Sequence, residues 1–257
     1  MANYDILGNI AIVKFPKEAK KNEKLEKARE LLENKSIKTV LEKTNKVSGR
    51  LRTIKTKYLA GEKTKIASYK ENGCLFKFNV ETCYFSPRLA NERLEVAKMI
   101  MKSDNVLVMF AGVAPFSIVI AKTAKPKKIV SVELGKECCK YAEENIIRNK
   151  VENIIRVLQG DVKRIIPKLE KERFNFIVMP RPNLKDSFLK QALGVSKKGT
   201  RIVYYGFSSE DEKDKMAAGL LKEAKKIKRK IKINRVLEAG DIAPYEHRYR
   251  IELVVNN

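Results

Sequence analysis

One glycine and one acid set the chemistry that this sequence can attempt. Gly112 lies within Val106-Leu-Val-Met-Phe-Ala-Gly-Val-Ala-Pro-Phe-Ser-Ile118, where an apolar strand runs into small residues and a second apolar segment opens. Glu133 closes the next apolar run, Lys128-Ile-Val-Ser-Val-Glu133. Backbone bared at such a turn can approach a nucleotide cofactor, and an acid at the end of the following strand can receive ribose hydroxyls. Only Gly112 remains of the three glycines in a dinucleotide fingerprint, so the surrounding elements must carry the rest of the argument.

Those elements alternate. From Asn91 onwards the periodicity predicts helices over 91–101, 115–124, 136–149, 184–193 and 210–227. Strands are predicted over 106–110, 128–133, 154–158, 174–179 and 200–207. Residues 230–238 and 249–255 could close the sheet as an antiparallel pair. Repeated strand–helix units imply an α/β fold with a mostly parallel sheet covered on both faces. Its ligand would lie beyond the carboxyl ends of the strands, where Gly112 and Glu133 fall. The first part reads differently, with one helix over 18–34 and short strands at 6–15, 37–41, 51–59, 64–69 and 74–80. Asn72-Gly73 suits a tight hairpin turn. The division expected is a small α+β domain over 1–82 and a cofactor-binding domain over 83–257.

Composition narrows the partners. In 257 residues, 55 Lys and Arg face 31 Asp and Glu, a formal charge of +24. An excess of that size favours a polyanion such as nucleic acid, because each neutralised phosphate releases counterions; a general bias towards lysine is the alternative. Cys74, Cys83, Cys138 and Cys139 form no CxxC pair, and His247 is the single histidine, so no metal site is expected. No apolar run approaches the ~20 residues of a membrane span, and no signal peptide opens the chain. The expectation is a cytoplasmic monomer with free thiols and no membrane partner. Pro244-Tyr245, followed by His247, Arg248 and Arg250, reads either as a turn before the last strand or as an RNA-facing edge. Tyr204-Tyr205 reads as core or pocket lining.

Two stretches are more specific: Tyr84-Phe-Ser-Pro-Arg-Leu-Ala-Asn-Glu-Arg93 and Met109-Phe-Ala-Gly-Val-Ala-Pro-Phe-Ser-Ile118. Together with Tyr69-Lys-Glu-Asn-Gly-Cys74, Glu144-Asn-Ile-Ile-Arg-Asn-Lys150 and Ala243-Pro-Tyr245, they resemble the archaeal and eukaryotic tRNA (guanine-37-N1)-methyltransferases. The resemblance covers nearly the whole chain and lacks the additional amino-terminal domain of some members. It implies a class I, Rossmann-like methyltransferase fold, S-adenosyl-L-methionine as cofactor and the tRNA anticodon stem-loop as partner. Glu92 would then be the general base, and Arg52, with Arg50 as its close neighbour, would stabilise the reacting base. Phe85, Arg88, Phe110, Ala111, Gly112, Val113, Glu133, Leu134, Asp161, Val162 and Pro180 would surround the cofactor. Guanine N1 must lose a proton as it is methylated, which a carboxylate can take, and an arginine can stabilise charge building towards O6.

The sequence departs from the family at three places. Val108 replaces an acid at the end of the first parallel strand, Ala114 replaces a glycine, and Pro180-Arg-Pro182 replaces Asn-Leu-Pro. Proline offers no polar side-chain atom beside the target base, so Arg181 or Asn183 must take over that contact, or the reaction differs. The chain is thus a divergent member by resemblance. An aminocarboxypropyl transferase acting at the same nucleotide and a noncatalytic tRNA-binding protein are the rival readings.

Overall fold

The computed structural model describes residues 3–45, 47–243 and 245–257. Pro244 of the Ala243-Pro-Tyr245 stretch lies outside them. The chain opens with the hairpin β1 (Asn3–Leu7) and β2 (Ile10–Lys14), which turns at Gly8 with φ +60. A Cβ there would fall 1.8 Å from the Ser68 carbonyl oxygen, so only glycine fits. Helix α1 (Lys21–Glu33) turns Ala28 and Leu31 inward onto Ala11, Val13 and Val40. Strand β3 (Thr39–Lys43) runs parallel to β2, and β4 (Thr56–Gly61) pairs antiparallel with β3, completing a four-stranded sheet. The strand expected from Leu51 starts only at Thr56. Residues 48–53 instead form a turn closed by a Ser48–Thr53 bridge, with Arg52 at φ +55.

Hairpin β5 (Ile66–Glu71) and β6 (Cys74–Asn79) turns at Asn72-Gly73, both with positive φ, as the Asn-Gly step predicts. Although it falls within the 1–82 segment assigned to the small domain, this hairpin is fastened to the larger part. A 3-10 turn at Pro87–Leu89 leads into α2 (Ala90–Lys98). Then follow β7 (Asn105–Met109), α3 (Pro115–Ala124), β8 (Lys128–Glu133) and α4 (Lys136–Arg148). Asn145 and Asn149, one turn apart on α4, each use the side-chain amide as a strand would use its backbone. Asn145 accepts from Lys77 N at 2.7 Å and donates to Lys77 O at 3.1 Å; Asn149 does the same with Leu75 at 2.9 and 2.7 Å.

The chain continues through β9 (Ile155–Gln159), the short α5 (Val162–Ile165), β10 (Phe174–Met179), α6 (Leu189–Gly194) and β11 (Ser196–Ser208). It ends with α7 (Lys213–Lys226), β12 (Ile231–Ala243) and β13 (Glu246–Val255). The large sheet has the order β12-β13-β11-β10-β7-β8-β9. Neighbours from β9 to β11 pair parallel, and β13 pairs antiparallel with both β11 and β12. Its central strands are buried on both faces, which explains their unbroken apolar runs. Strand order reverses between β7 and β10, so the crevice opens at the carboxyl ends of β7 and β8. Val108, in place of an acid, is simply buried core there.

Candidate active site

The turn after β7 is wound through left-handed backbone. Phe110, Gly112 and Ala114 have φ of +59, +57 and +65. At Gly112 a Cβ would meet nothing nearer than the Tyr84 carbonyl oxygen at 3.8 Å, so this backbone faces open space. The same left-handed conformation costs roughly 1 kcal/mol or more at each non-glycine position. The turn is held by Glu133, whose Oε2 accepts the Gly112 N–H and whose Oε1 accepts the Gly135 N–H, both at 2.7 Å. Burial pushes the Glu133 carboxyl up, while the Gly135, Gly112 and Leu134 amides pull it back. With three amides on its two oxygens, a lone pair remains for a hydroxyl donor.

A cleft with an empty volume of about 1140 Å³ opens over this turn, and Phe110, Ala111, Gly112, Glu133, Leu134, Asp161, Val162 and Pro180 all line it. Val113 does not; it is fully buried in the core. Asp161 caps α5 by accepting the Lys163 N–H at 2.9 Å. Its other oxygen receives Arg50 Nη2 at 2.7 Å, and this guanidinium is the main reason its carboxyl lies below the usual range. Acids at two points and apolar walls between them suit a nucleoside with hydroxyl and amino donors. The residues present therefore fit S-adenosyl-L-methionine.

The other end of the cleft is aromatic and cationic. Arg52 lies over the Tyr84 ring, 4.1 Å from guanidinium carbon to centroid, and its buried Nε has no partner. The two neighbouring arginines are thus separated: Arg50 serves the Asp161 end and Arg52 the Tyr84 end. Tyr205, Phe207, Arg181 and Arg248 complete the wall. Phe85 lines the cleft but is mainly core, within 4.8–5.7 Å of the Tyr69, Phe76 and Phe78 rings.

Two expected positions differ. Arg88 is not on this cleft: it pairs with Asp5 at 3.0 Å and braces β1 against the 3-10 turn. Glu92 is not on the cleft wall either. Its Oε1 receives the Tyr205 hydroxyl at 2.8 Å and Arg250 Nη1 at 2.9 Å, so Tyr205 stands between it and the cavity. Glu92 sits in the first turn of α2 and is held by Tyr205 on β11 and Arg250 on β13.

At Pro180-Arg-Pro182 it is Arg181 that lines the cleft, while Asn183 is exposed. Arg181 is committed to the fold. Its Nε donates to the Tyr204 hydroxyl at 2.8 Å, and Nη1 donates to the carbonyls of Pro182 and Leu184 at 3.0 and 2.9 Å. This ties 180–186 into a loop and delays α6 from the expected residue 184 to Leu189. Arg248, read from the sequence only as part of a turn or an RNA-facing edge, shares a face of β13 with Arg250, and residue patterns did not signal that it would be buried against the cleft. Nor did they signal the buried pair of Arg93 with Glu71, whose Nε–Oε1 and Nη2–Oε2 distances are both 2.5 Å. Arg93 also donates to the Ser86 carbonyl and so fixes the cleft wall.

This strand order and crevice define a class I, Rossmann-like methyltransferase fold beside a small α+β domain. Residues 67–235 match the TRM5/TYW2 methyltransferase domain and residues 1–64 the TYW2 N-terminal domain. The chain belongs to the TRM5/TYW2 family. It is 39% identical over 82% of its length to the tRNA (guanine(37)-N(1))-methyltransferase Trm5b of Pyrococcus abyssi, covering 61% of that protein. The crystal structure of that enzyme superimposes with a TM-score of 0.87, covering 99% of this chain and 75% of the other, at 34% identity. The tRNA (guanine(37)-N(1))/4-demethylwyosine(37)-methyltransferase Taw22 of Nanoarchaeum equitans is 30% identical over 98% of this chain and 99% of its own. A complex of aTrm5 with tRNALeu matches with a TM-score of 0.86 at 28% identity, covering 99% of this chain and 72% of that one. Among the described residues no cluster of His, Cys, Asp or Glu could hold a metal ion, and no helix is long and apolar enough to cross a membrane.

Proposed function

We propose that this protein methylates N1 of guanosine-37 in tRNA, using S-adenosyl-L-methionine. The observation that carries the proposal is the Glu133 clamp at the carboxyl end of β8, opening into a cleft whose far end holds Arg52 stacked on Tyr84 with its buried Nε open. The family relatives named for this reaction supply the substrate. S-adenosyl-L-methionine bound at Glu133, Asp161 and the Gly112 turn supplies an electrophilic methyl. Tyr84 and Phe207 offer faces against which a purine can stack. Arg52 faces O6, where negative charge grows as N1 loses its proton.

The proton route follows from where Glu92 lies. N1–H donates to the Tyr205 oxygen while the Tyr205 hydroxyl proton passes to Glu92 Oε1, so the tyrosine ends neutral and the carboxylate protonated. Burial, with Glu92 beside it, holds the Tyr205 hydroxyl well above its ordinary pKa, so a free tyrosinate is avoided and transfer must be concerted. The four buried free thiols support a reducing, cytoplasmic setting, and a monomer suffices because one chain contains the whole cleft.

A second substrate is favoured by one observation: the Nanoarchaeum equitans relative, aligned over almost its whole length, is named for both guanosine-37 and 4-demethylwyosine-37. Replacing the family's asparagine with Pro180 removes a polar group fitted to one base and makes a larger tricyclic base admissible. Nucleoside mass spectrometry distinguishes these outcomes. Unmodified tRNA with guanosine-37 should gain one methyl as 1-methylguanosine, a transcript with another base at 37 none. Methylation of tRNA carrying 4-demethylwyosine would add the second substrate. Absence of 1-methylguanosine despite tRNA binding would overturn the main reading; an aminocarboxypropyl adduct would replace it, and no product with any of these tRNAs would indicate a binding protein.

A further inference from the structure

A second cavity lies behind the first and shares Arg52, Tyr84, Phe85, Ser86 and Arg248 with it. Its other walls come from the small domain and the linker, including Lys14, Lys43, Asp5 and Arg88. Asp5 is paired with Arg88. Among the described residues, no carboxylate forms an ion pair with Lys14, Lys43, Arg52 or Arg248. Arg248 is unusual, because it is buried, with only 8% of its surface exposed. Desolvation pushes its guanidinium down; the Tyr84 hydroxyl, which it hydrogen-bonds, works against this, and the half-buried Arg52 beside it adds like-charge repulsion. A buried cation whose neighbours are a neutral hydroxyl and another cation, with no carboxylate, is costly. Such an arrangement is maintained at a site that an anion completes. The position of the cavity says which anion, since it adjoins the base-binding end of the cleft rather than the Glu133 end. A base seated between Tyr84 and Phe207 leaves its sugar and phosphates to leave by a neighbouring opening.

We propose that the second cavity is a phosphate site, which takes a backbone phosphodiester flanking the nucleotide whose base enters the cleft. Arg248 is its inner ligand and Lys14 and Lys43 form its rim, while Arg52, on the wall shared with the cleft, serves the base. The inference rests on the RNA-modifying reading of the cleft, but its test does not require turnover.

The experiment measures tRNA affinity of the full chain against salt concentration for wild type, Lys43→Gln, Arg248→Gln and Arg248→Lys. Each contact to single-stranded phosphate contributes about 0.7 to the slope of log affinity on log salt. Lys43→Gln and Arg248→Gln should each lower the slope by about that amount and weaken binding about tenfold at ~0.1 M salt. Arg248→Lys keeps the charge and should restore the slope. Lys43 lies at the rim, so its variant stays informative if Arg248→Gln fails to fold. An uncharged methylphosphonate at either phosphate flanking residue 37 locates the contact: at one of them it should weaken wild type yet leave Arg248→Gln unaffected. Unchanged slopes in both variants overturn the proposal, as does additivity at both linkages. A fall in kcat with unaltered affinity and slope would also overturn it, by placing Arg248 at the base instead. If wild type binds tRNA but yields no methylated product, the proposed reaction fails while the slopes still judge the phosphate site.

Discussion

Tyr205→Phe separates a relayed proton from one taken directly. The substitution removes one oxygen and keeps the ring in its buried position between α3 and β13, where it lies 5.8 Å from the Phe116 ring. Glu92 loses the 2.8 Å bond from the hydroxyl but keeps Arg250 at 2.9 Å, so its charge remains compensated. The loss of one hydrogen bond to a charged group costs about 1.5–3 kcal/mol of stability, which a domain of ordinary stability survives. The effect on rate is larger. A positioned acid–base group contributes about 10²–10⁴-fold, or roughly 3–5 kcal/mol of barrier. The expected outcome is a kcat lowered within that range, with the Kd for S-adenosyl-L-methionine and the KM for tRNA changed by no more than about twofold. Single-turnover methylation with excess enzyme measures the chemical step, free of product release. Glu92→Gln should fall by a similar factor, and the double variant little further, because both residues lie on one path. A Tyr205→Phe enzyme that reacts at the wild-type rate while Glu92→Gln is inert would refute the relay and require Glu92 to leave Arg250 and enter the cleft. Full activity in both would remove Glu92 from the mechanism altogether.

Two further outcomes follow from buried charge. Glu71→Gln leaves the Arg93 guanidinium, 1% exposed, without its carboxylate and should cost about 3–5 kcal/mol by chemical denaturation; the apolar pair Glu71→Leu with Arg93→Met should cost much less, and equal losses would show that the pair is not the cause. Burial raises the Glu133 carboxyl above its ordinary value, so its protonated form is favoured in the cofactor-free fold. Stability contributed by that carboxyl therefore falls as pH rises from the unfolded value through the raised folded one, and the penalty is complete above it. Hydroxyl donors favour the ionised form, so calorimetry should show cofactor affinity rising through the same window and then levelling, with Glu133→Gln weak throughout.

The large sheet was legible because parallel strands buried on both faces must be apolar end to end, and β8, β10 and α3 have the bounds that the pattern predicts. Gly112 and Glu133 were legible for the same reason: their positions are fixed by the ends of those strands. The turn at Ser48-Gly49 was legible, but its continuation over 51–55 was not, since its alternation mimics a strand, and only the tertiary contacts of Ile54 and Thr56 with Glu81 decide otherwise. The late start of α6 was hidden because Arg181, a single side chain, satisfies carbonyls that helix formation would have used. Arg248 was named as part of a possible RNA-facing edge, but its burial was hidden by its type, since an arginine near a basic terminus reads as surface. Placement of Glu92 behind Tyr205 depends on how α2 docks across β11 and β13, which no local pattern encodes.

The small domain contributes directly to the cleft. Arg50 and Arg52 lie two residues apart in one turn, whose ends are tied by the Ser48–Thr53 bridge. Just beyond it, the Ile54 N–H is bonded to the Glu81 carbonyl and the Thr56 N–H to the Glu81 side chain, which fixes the turn to the lead-in of the catalytic domain. Lys65 pairs with the same Glu81 carboxylate and helps to hold it ionised. Between these anchors, Leu51 reaches Gly135, where a Cβ would meet it at 3.4 Å. The turn therefore lies beside the Glu133 amide clamp at its centre, holds Asp161 through Arg50, and carries Arg52 over the Tyr84 ring. On the proposed reading, one loop of the small domain meets both cofactor and base, with Arg52 in left-handed backbone and its buried Nε left open for the base.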